Sequence, residues 1–315
     1  MQSYTEKEKN LSQYISVIGA FALALGTVLG WGSLVVTSNT YLLKAGPAGT
    51  ILGICLGAII MLIIAMNYSF LIRKCPDCGG AYSFLTTAYG YDYAFITGWF
   101  LVSTYLAVLW SNVTAIPLFA KNFIGNIFQF GFKYSIFGSE IYLGEVLISS
   151  LTLLLICWFL TKSKKHSIGF MTLMVGVFVS LIAACFIFVF SKNSEIFNFN
   201  PAYSPNSDYL MQVAYISCIS PLAFSGFESI SHASEEFSFS KDKIFKILSG
   251  TIFVAALFYI TILVLSVSAY PSQFNSWFDY ISNLNKLDGI ERFPVFYAVN
   301  NYLGAYGYYA MLIAL

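Results

Sequence analysis

Two apolar segments of the chain contain glycine or proline at positions where a membrane-spanning helix would lose its regular backbone. The first runs from Gly26 to Ser33 and contains Gly30-Trp31-Gly32. Glycine permits unwinding and lets a ligand approach the main chain closely. A break here would expose the amide donors of the second half-helix, at its positive dipole end, to an anionic group. Because Gly26-x-x-x-Gly30 also fits a close contact between helices, ligand binding and helix packing both stay open for this segment.

The second segment runs from Ser220 to Ser229 and carries Glu228, the one ionisable side chain well inside a predicted span. Pro221 removes a backbone donor and clashes with the preceding turn, and Gly226 follows five positions later. A charge at the bilayer centre costs about 2.5–3.5 kcal/mol on the insertion scale, so we expect Glu228 to face a cavity or a partner. We predict a gating or proton-linked role for it. The alternative is a neutral glutamate that hydrogen-bonds to the backbone freed by the break.

The cysteines and histidines form no motif that predicts a metal site, redox chemistry or catalysis. Cys75-Pro76-Asp77-Cys78 has the spacing of half a zinc site or a redox pair, but no second cysteine pair or nearby histidine completes it. We therefore predict no metal and no cofactor. His166 and His232 lie in no hydrolase or metalloprotease motif, so we predict no catalytic residue and no enzyme, with His232 at a solvated helix end. A net charge of +1 gives no basic surface for nucleic acid.

The elements that must position these residues follow from composition. Of 315 residues, 58% are hydrophobic and 10% are charged, whereas a soluble domain needs about 25% charged residues. Eight apolar runs are long enough to cross a hydrocarbon layer of about 30 Å, and helices satisfy their own backbone hydrogen bonds there. The predicted spans are Ile15–Thr37, Pro47–Ile72, Phe95–Phe119, Ile141–Leu160, Ile168–Phe190, Leu210–His232, Ile247–Tyr270 and Phe296–Leu315.

Basic residues predict the orientation of these spans. With the N-terminus in the cytoplasm, ten lysines and arginines lie inside and six outside, as the positive-inside rule expects. We therefore expect a multi-pass protein of the cell membrane with a cytoplasmic N-terminus, in contact with the lipid bilayer. The chain stops at Leu315 within the apolar run Tyr306–Leu315, so we expect a fragment of a longer protein.

The two interrupted spans are the first and the sixth, which is where inverted repeats of five helices place corresponding breaks. Matching interruptions in two halves are the best sequence pointer to a substrate site near the membrane midplane. The predicted organisation is a cytoplasmic tail (1–14), a first five-helix repeat (15–190), an extracellular loop (191–209) and an incomplete second repeat (210–315).

Four motifs, in this order, resemble the amino acid–polyamine–organocation (APC) superfamily of permeases. They are Gly30-Trp31-Gly32, Ala45-Gly46-Pro47, Pro76–Tyr82 and Phe224–Ser229. The resemblance runs over nearly the whole chain and implies an all-α, LeuT-like fold of two inverted five-helix repeats, here truncated in the second. It also implies a secondary active transporter for amino acids or related amines. Such a permease couples to H⁺ or Na⁺ and alternates access around a midplane site between helices 1 and 6.

The resemblance further implies roles for individual positions. In such proteins the glycine motif of the first span binds the substrate α-carboxylate through backbone amides. The unwound sixth span binds the α-amino group with its carbonyls and supplies an aromatic gate, and an asparagine of the third helix contacts substrate in some relatives. The matching positions are Val28, Gly30, Trp31, Gly32, Asn112, Ala223, Phe224, Ser225 and Gly226.

Two positions depart from the family pattern. Trp31 replaces a small polar residue, which would narrow or fill the site, and Ile168–Phe190 lacks the lysine that some proton-coupled relatives carry in the fifth helix. The alternative function is a membrane-embedded ligand sensor on a permease-like scaffold. An intramembrane enzyme or a channel is disfavoured, because the spans contain neither paired catalytic groups nor a ring of charges.

Overall fold

The computed structural model describes residues 13–136, 139–162, 164–192, 199–205 and 208–314. These residues are mostly helical, with one antiparallel hairpin of β1 (Lys133–Ile136) and β2 (Ser139–Tyr142). The helices are α1 (Val17–Val28), α2 (Trp31–Val35), α3 (Leu42–Lys74), α4 (Ala81–Tyr89), α5 (Tyr91–Phe119), α6 (Leu143–Lys162), α7 (Lys164–Lys192), α8 (Tyr209–Ile219), α9 (Ile244–Ser268), α10 (Trp277–Ser282) and α11 (Pro294–Ala314).

Within the described residues, six helical segments are long and apolar enough to cross a membrane. They are Val36–Lys74, Tyr91–Phe119, Leu143–Thr161, His166–Val189, Tyr209–Ala233 and Lys241–Ser268. The first predicted span falls short because it is divided after Val28, and the eighth is interrupted at Gly304, where φ is +68°. The predicted all-α polytopic membrane protein is thus confirmed. Most of the predicted tail 1–14 and part of the loop 191–209 lie outside the described residues.

Helix α9 lies at the centre of the helical assembly, where it contacts α1, α3, α7 and α11. Most of its apolar residues are buried against these neighbours, and Tyr259 is fully buried, whereas Phe253 and Leu257 are exposed. A helix with so wide an apolar surface belongs in an interior position. Helix α9 is therefore the central helix against which the broken spans pack.

Small residues bring α3 close to α8. Added β-carbons at Gly53 and Gly57 would collide with Ile216 and Ser220, and the Ser220 hydroxyl donates to the Gly53 carbonyl at 3.2 Å. Glycine at such contacts lets helix backbones approach closely in a membrane. The second predicted span thus anchors the helix that leads into the break of the sixth.

Gly26 serves the same packing purpose on α1. A β-carbon at this position would lie 2.9 Å from Cγ2 of Val175 on α7. Ligand binding and helix packing were both left open for the first glycine segment. Gly26 serves helix packing. The residues that follow it form the break.

Candidate functional site at two broken helices

The first break separates α1 from α2. Helix α1 begins after Ser16, whose hydroxyl accepts a hydrogen bond from the Gly19 amide, and it ends at Val28. Leu29 is extended (φ −84°, ψ 104°), and the helix resumes at Trp31. The Gly30 carbonyl accepts from the Leu34 amide at 3.2 Å, so Gly30 opens the second half-helix. The predicted interruption of the first span is present.

The second break follows α8. The chain passes into a 3₁₀ segment, Ser220–Phe224, then into extended Ser225 (ψ 141°) and left-handed Gly226 (φ +108°). A second 3₁₀ segment, Phe227–Ala233, follows. Pro221 lies in the first turn of the first 3₁₀ segment, where a missing donor is harmless. The α-helix thus ends just before the proline, and the chain leaves helical geometry altogether at Ser225–Gly226.

The two breaks touch each other. Oγ1 of Thr27 lies 2.7 Å from the Gly226 carbonyl oxygen and 3.1 Å from Oγ of Ser229. A β-carbon on Gly226 would lie 2.6 Å from the Thr27 carbonyl oxygen. Both the positive φ and this close approach require glycine at 226. The contact holds the last turn of α1 against the second break.

Tyr259 of α9 joins the carbonyls freed at the two breaks. Its hydroxyl lies 2.6 Å from the carbonyl oxygen of Ala223 and 3.1 Å from that of Val28. The ring packs against Phe224 with centroids 5.5 Å apart in an edge-to-face arrangement. One buried phenol thus supplies a donor where the helical partners of two carbonyls are lost.

The space beside the first break is open. Among the described residues, no atom of another part of the chain lies within 4 Å of the position that a β-carbon on Gly32 would occupy, and next to Gly30 the nearest such atom is Oδ1 of Asn112 at 3.9 Å. The Asn112 amide nitrogen donates to the Val108 carbonyl of its own helix at 2.9 Å. The asparagine oxygen therefore lies beside the glycine motif, and its predicted contact with substrate stays a prediction.

The Trp31 side chain lies in an aromatic cluster. Its ring centroid is 4.1 Å from that of Phe119 on α5, 5.2 Å from Phe293 and 6.5 Å from Phe296. Phe119 stacks on Phe293 with 6.1 Å between centroids. The tryptophan therefore joins the start of α2 to α5 and α11.

Glu228 is half-buried behind the second break. Its Oε2 accepts a hydrogen bond from the Gly226 amide at 2.8 Å. This bond is the one that the structural alternative requires, because it satisfies a backbone donor released by the break. The gating or proton-linked role of Glu228 remains a prediction.

The far end of the second 3₁₀ segment is held by the turn between α3 and α4. Nδ1 of His232 lies 3.0 Å from the Cys78 carbonyl oxygen, and Nε2 lies 3.0 Å from the Tyr105 hydroxyl. A β-carbon on Gly80 (φ +56°) would lie 2.7 Å from Oγ of Ser231. The expectation of a solvated helix end at His232 is corrected: the ring is half-buried and bonded at both nitrogens.

The residues before α1 reach the same region. The Tyr14 hydroxyl donates to Glu236 at 2.7 Å, and the Ile15 amide donates to the Glu236 carbonyl at 3.0 Å. Burial and the neighbouring Glu236 carboxylate raise the pKa of Tyr14, so its hydroxyl stays a protonated donor around neutral pH. The start of α1 is thus tied to the chain that follows the second break.

Sequence reasoning predicted the two breaks, and the roles of Asn112 and Glu228 stay predictions, but it missed Thr27 and Tyr259. A threonine or tyrosine in an apolar span usually indicates packing, and neither has a diagnostic spacing. The one sequence signal was a tyrosine in the middle of an apolar run, because its hydroxyl needs a hydrogen-bond partner there and carbonyls at a break supply one. No cluster of three or more His, Cys, Asp or Glu side chains that could hold a metal occurs among the residues placed by the structure.

Two broken helices that meet inside a polytopic α-helical membrane protein are an arrangement known from transporters that use discontinuous helices. Comparison with known proteins gives the family. The amino acid permease model matches residues 19–289, and the chain belongs to that family.

Individual relatives are distant. A branched-chain amino acid permease of Lactococcus lactis subsp. cremoris is 22% identical over 281 residues, covering 85% of this chain and 58% of that protein. A methylthioribose transporter of Bacillus subtilis is 24% identical over 238 residues, covering 74% of this chain and 50% of that protein. A branched-chain amino acid permease of B. subtilis is 23% identical over 292 residues, covering 85% and 57%. The chain spans little more than half the length of these relatives.

Proposed function

We propose that this chain belongs to a secondary active transporter that moves amino acids or related amines across the cell membrane. The substrate lies between the two breaks, and access alternates between the two faces of the membrane. The N-terminus is cytoplasmic. One observation carries the proposal. The open space at Gly32 adjoins the first break, and the last turn of α1 before that break contacts the second break through Thr27 and Gly226.

The backbone polarity of the two breaks suits a zwitterion. The first turn of α2 presents amide donors and the positive end of a helix dipole, which favours a carboxylate. The second break leaves carbonyls of Ala223 and its neighbours outside a regular helix, and carbonyl oxygens accept from an ammonium group. Asn112 adds an amide oxygen beside Gly30. A small molecule with one carboxylate and one amine could bind the amide donors of α2 and the carbonyls of the second break together.

The relatives narrow the substrate class only in part. Two are permeases for branched-chain amino acids, whereas one transports methylthioribose. Amino acids are the substrate class that the amide donors and carbonyl acceptors at the two breaks favour. We further propose that a coupling H⁺ or Na⁺ uses the second break, where Glu228 is the ionisable side chain.

Ligand-induced thermal stabilisation of the purified chain tests the site. We expect a branched-chain amino acid to raise the melting temperature of the wild type and of Gly32→Ala, because the space at Gly32 accommodates a methyl group. Gly32→Leu should fill the space and abolish the shift while leaving membrane insertion unchanged. Equal stabilisation of Gly32→Leu and the wild type would refute the site.

A further inference from the structure

A groove lies on the side of α1 that faces away from α7. It has a volume of about 330 Å³ and is lined by Val17, Ile18 and Phe21 of α1 and by Lys243, Lys246 and Ile247 at the start of α9. The Phe21 ring lies 3.5 Å from the position of a β-carbon on Gly250, so it closes the groove between the two helices. Ile18 is 69% exposed. The groove is outside the paired breaks.

The groove has two chemically distinct parts. Its α1 wall is apolar, whereas Lys243 and Lys246 are both exposed at the first turn of α9, where a membrane-spanning segment begins. The nearest carboxylate in sequence, Asp242, is engaged elsewhere, because it accepts from Ser240 at 2.9 Å and lies 3.9 Å from Arg73. Across the described ranges, neither lysine has a carboxylate within ion-pairing distance. The groove therefore joins a positive rim to an apolar wall.

We infer that this groove binds an anionic phospholipid. The phosphate lies between the ammonium groups of Lys243 and Lys246, and an acyl chain runs along Val17 and Phe21. Each lysine places a positive charge beside the phosphate, and the apolar α1 wall offers contact to an acyl chain. A phosphatidylcholine has the same phosphate, but its choline cancels the charge. The site should therefore prefer phosphatidylglycerol.

Such a lipid would contact α1 and α9 together. Helix α1 has only 12 residues and ends at the first break, and Tyr259 of α9 reaches its Val28 carbonyl at 3.1 Å. A phospholipid that spans the groove favours the arrangement in which this hydrogen bond forms. The lipid site does not depend on the identity of the substrate.

The experiment compares two lipids with identical acyl chains. Palmitoyl-oleoyl phosphatidylglycerol or phosphatidylcholine is titrated into the purified chain in neutral detergent, and the melting temperature gives the half-saturating lipid fraction. We expect the wild type to bind phosphatidylglycerol more tightly. A lysine near anionic headgroups is worth about a fivefold change in affinity, so Lys243→Gln and Lys246→Gln should each weaken the binding of phosphatidylglycerol by about fivefold.

Two further variants separate charge from fold. Lys243→Arg/Lys246→Arg should keep the preference. Lys74→Gln removes one charge from the end of α3, on the same side of the membrane as the Arg73–Asp242 pair, and should also keep it. Loss of preference in Lys74→Gln to the same extent, or no preference in the wild type, would overturn the inference. So would an equal stabilisation by inorganic phosphate, because the acyl wall would then contribute nothing.

Discussion

Removing one oxygen atom from Tyr259 tests whether the two breaks are held together from α9. Tyr259→Phe keeps the ring, its edge-to-face contact with Phe224 and the burial of the side chain. It deletes the hydroxyl that lies 2.6 Å from the Ala223 carbonyl oxygen and 3.1 Å from that of Val28. The substitution therefore changes hydrogen bonding without making a large cavity.

The expected loss in the free energy of unfolding follows from the number of hydrogen bonds removed, since the Tyr259 hydroxyl has one hydrogen atom for two carbonyl acceptors. A neutral hydrogen bond contributes about 1 kcal/mol net, and hydrogen bonds between membrane helices average about 0.6 kcal/mol. A buried carbonyl left without a donor costs about 1–3 kcal/mol, although a backbone carbonyl at a break can turn toward water in the site. We expect Tyr259→Phe to lower the free energy of unfolding by about 1–2 kcal/mol.

The substrate affinity should fall together with the stability. If the hydroxyl holds Val28 and Ala223 in the geometry that binds substrate, its loss lowers the population of the competent state, and the apparent dissociation constant rises in proportion. A change of 1–2 kcal/mol corresponds to a rise of at most about fivefold to thirtyfold in that constant, reached when the competent state is the minor one in the free protein. Unfolding in mixed micelles and calorimetric titration with a branched-chain amino acid measure the two quantities on one preparation.

Tyr302 provides the matched control. Its hydroxyl also bonds to a backbone carbonyl, that of Ser268 at 3.1 Å, and to the Ser268 hydroxyl at 3.0 Å, but at the C-terminal end of α9, away from the two breaks. Tyr302→Phe should lower stability by a similar amount and leave substrate affinity unchanged. If Tyr259→Phe lost stability but kept wild-type affinity, the hydroxyl would be structural only, and the reasoning would be refuted.

Three further outcomes are expected. Gly226→Ala should unfold at a markedly lower temperature than the wild type in a melting experiment, because φ is +108° and the new methyl would meet the Thr27 carbonyl; an unchanged melting temperature would contradict that close approach. Glu228→Gln should alter the pH dependence of uptake in proteoliposomes of the complete transporter, whereas an unchanged profile would leave Glu228 only its bond to the Gly226 amide. Trp31→Ala should remove the 4.1 Å ring contact with Phe119 and accelerate substrate dissociation in stopped-flow measurements, and an unchanged rate would exclude the aromatic cluster from closing the site.

The breaks could be predicted because glycine within an apolar run indicates a position where the helix can unwind. Gly30 and Gly226 both lie where the backbone leaves helical geometry. Pro221 marks the change from α8 to a 3₁₀ segment, before the backbone leaves helical geometry at Ser225. Residue types therefore locate a break to within a few residues, and the exact position depends on the local backbone, which is extended at Leu29 in the first break and has a positive φ at Gly226 in the second.

The contacts that join the breaks could not be predicted in the same way. Thr27 meets Gly226 across 199 positions, and Tyr259 meets Val28 across 231. Neither pairing has a local periodicity, because each arises only after α1, α9 and the second break are packed together. His232 shows the same limit, since its partners, Cys78 and Tyr105, come from two other helices or turns.

The hydrogen-bond count at Tyr259 also bears on how a substrate would be held. A carbonyl oxygen accepts two hydrogen bonds, so Val28 and Ala223 together have four acceptor positions, while the phenol supplies one hydrogen atom. The acceptor positions that the phenol does not use suit an ammonium group, which has three donors. On the proposed function, Tyr259 therefore fixes the direction of both carbonyls without using up their capacity. A methyl ester of the substrate should then lose the interactions at α2 and keep those at the carbonyls, whereas a deaminated analogue should lose the second set and become insensitive to Tyr259→Phe.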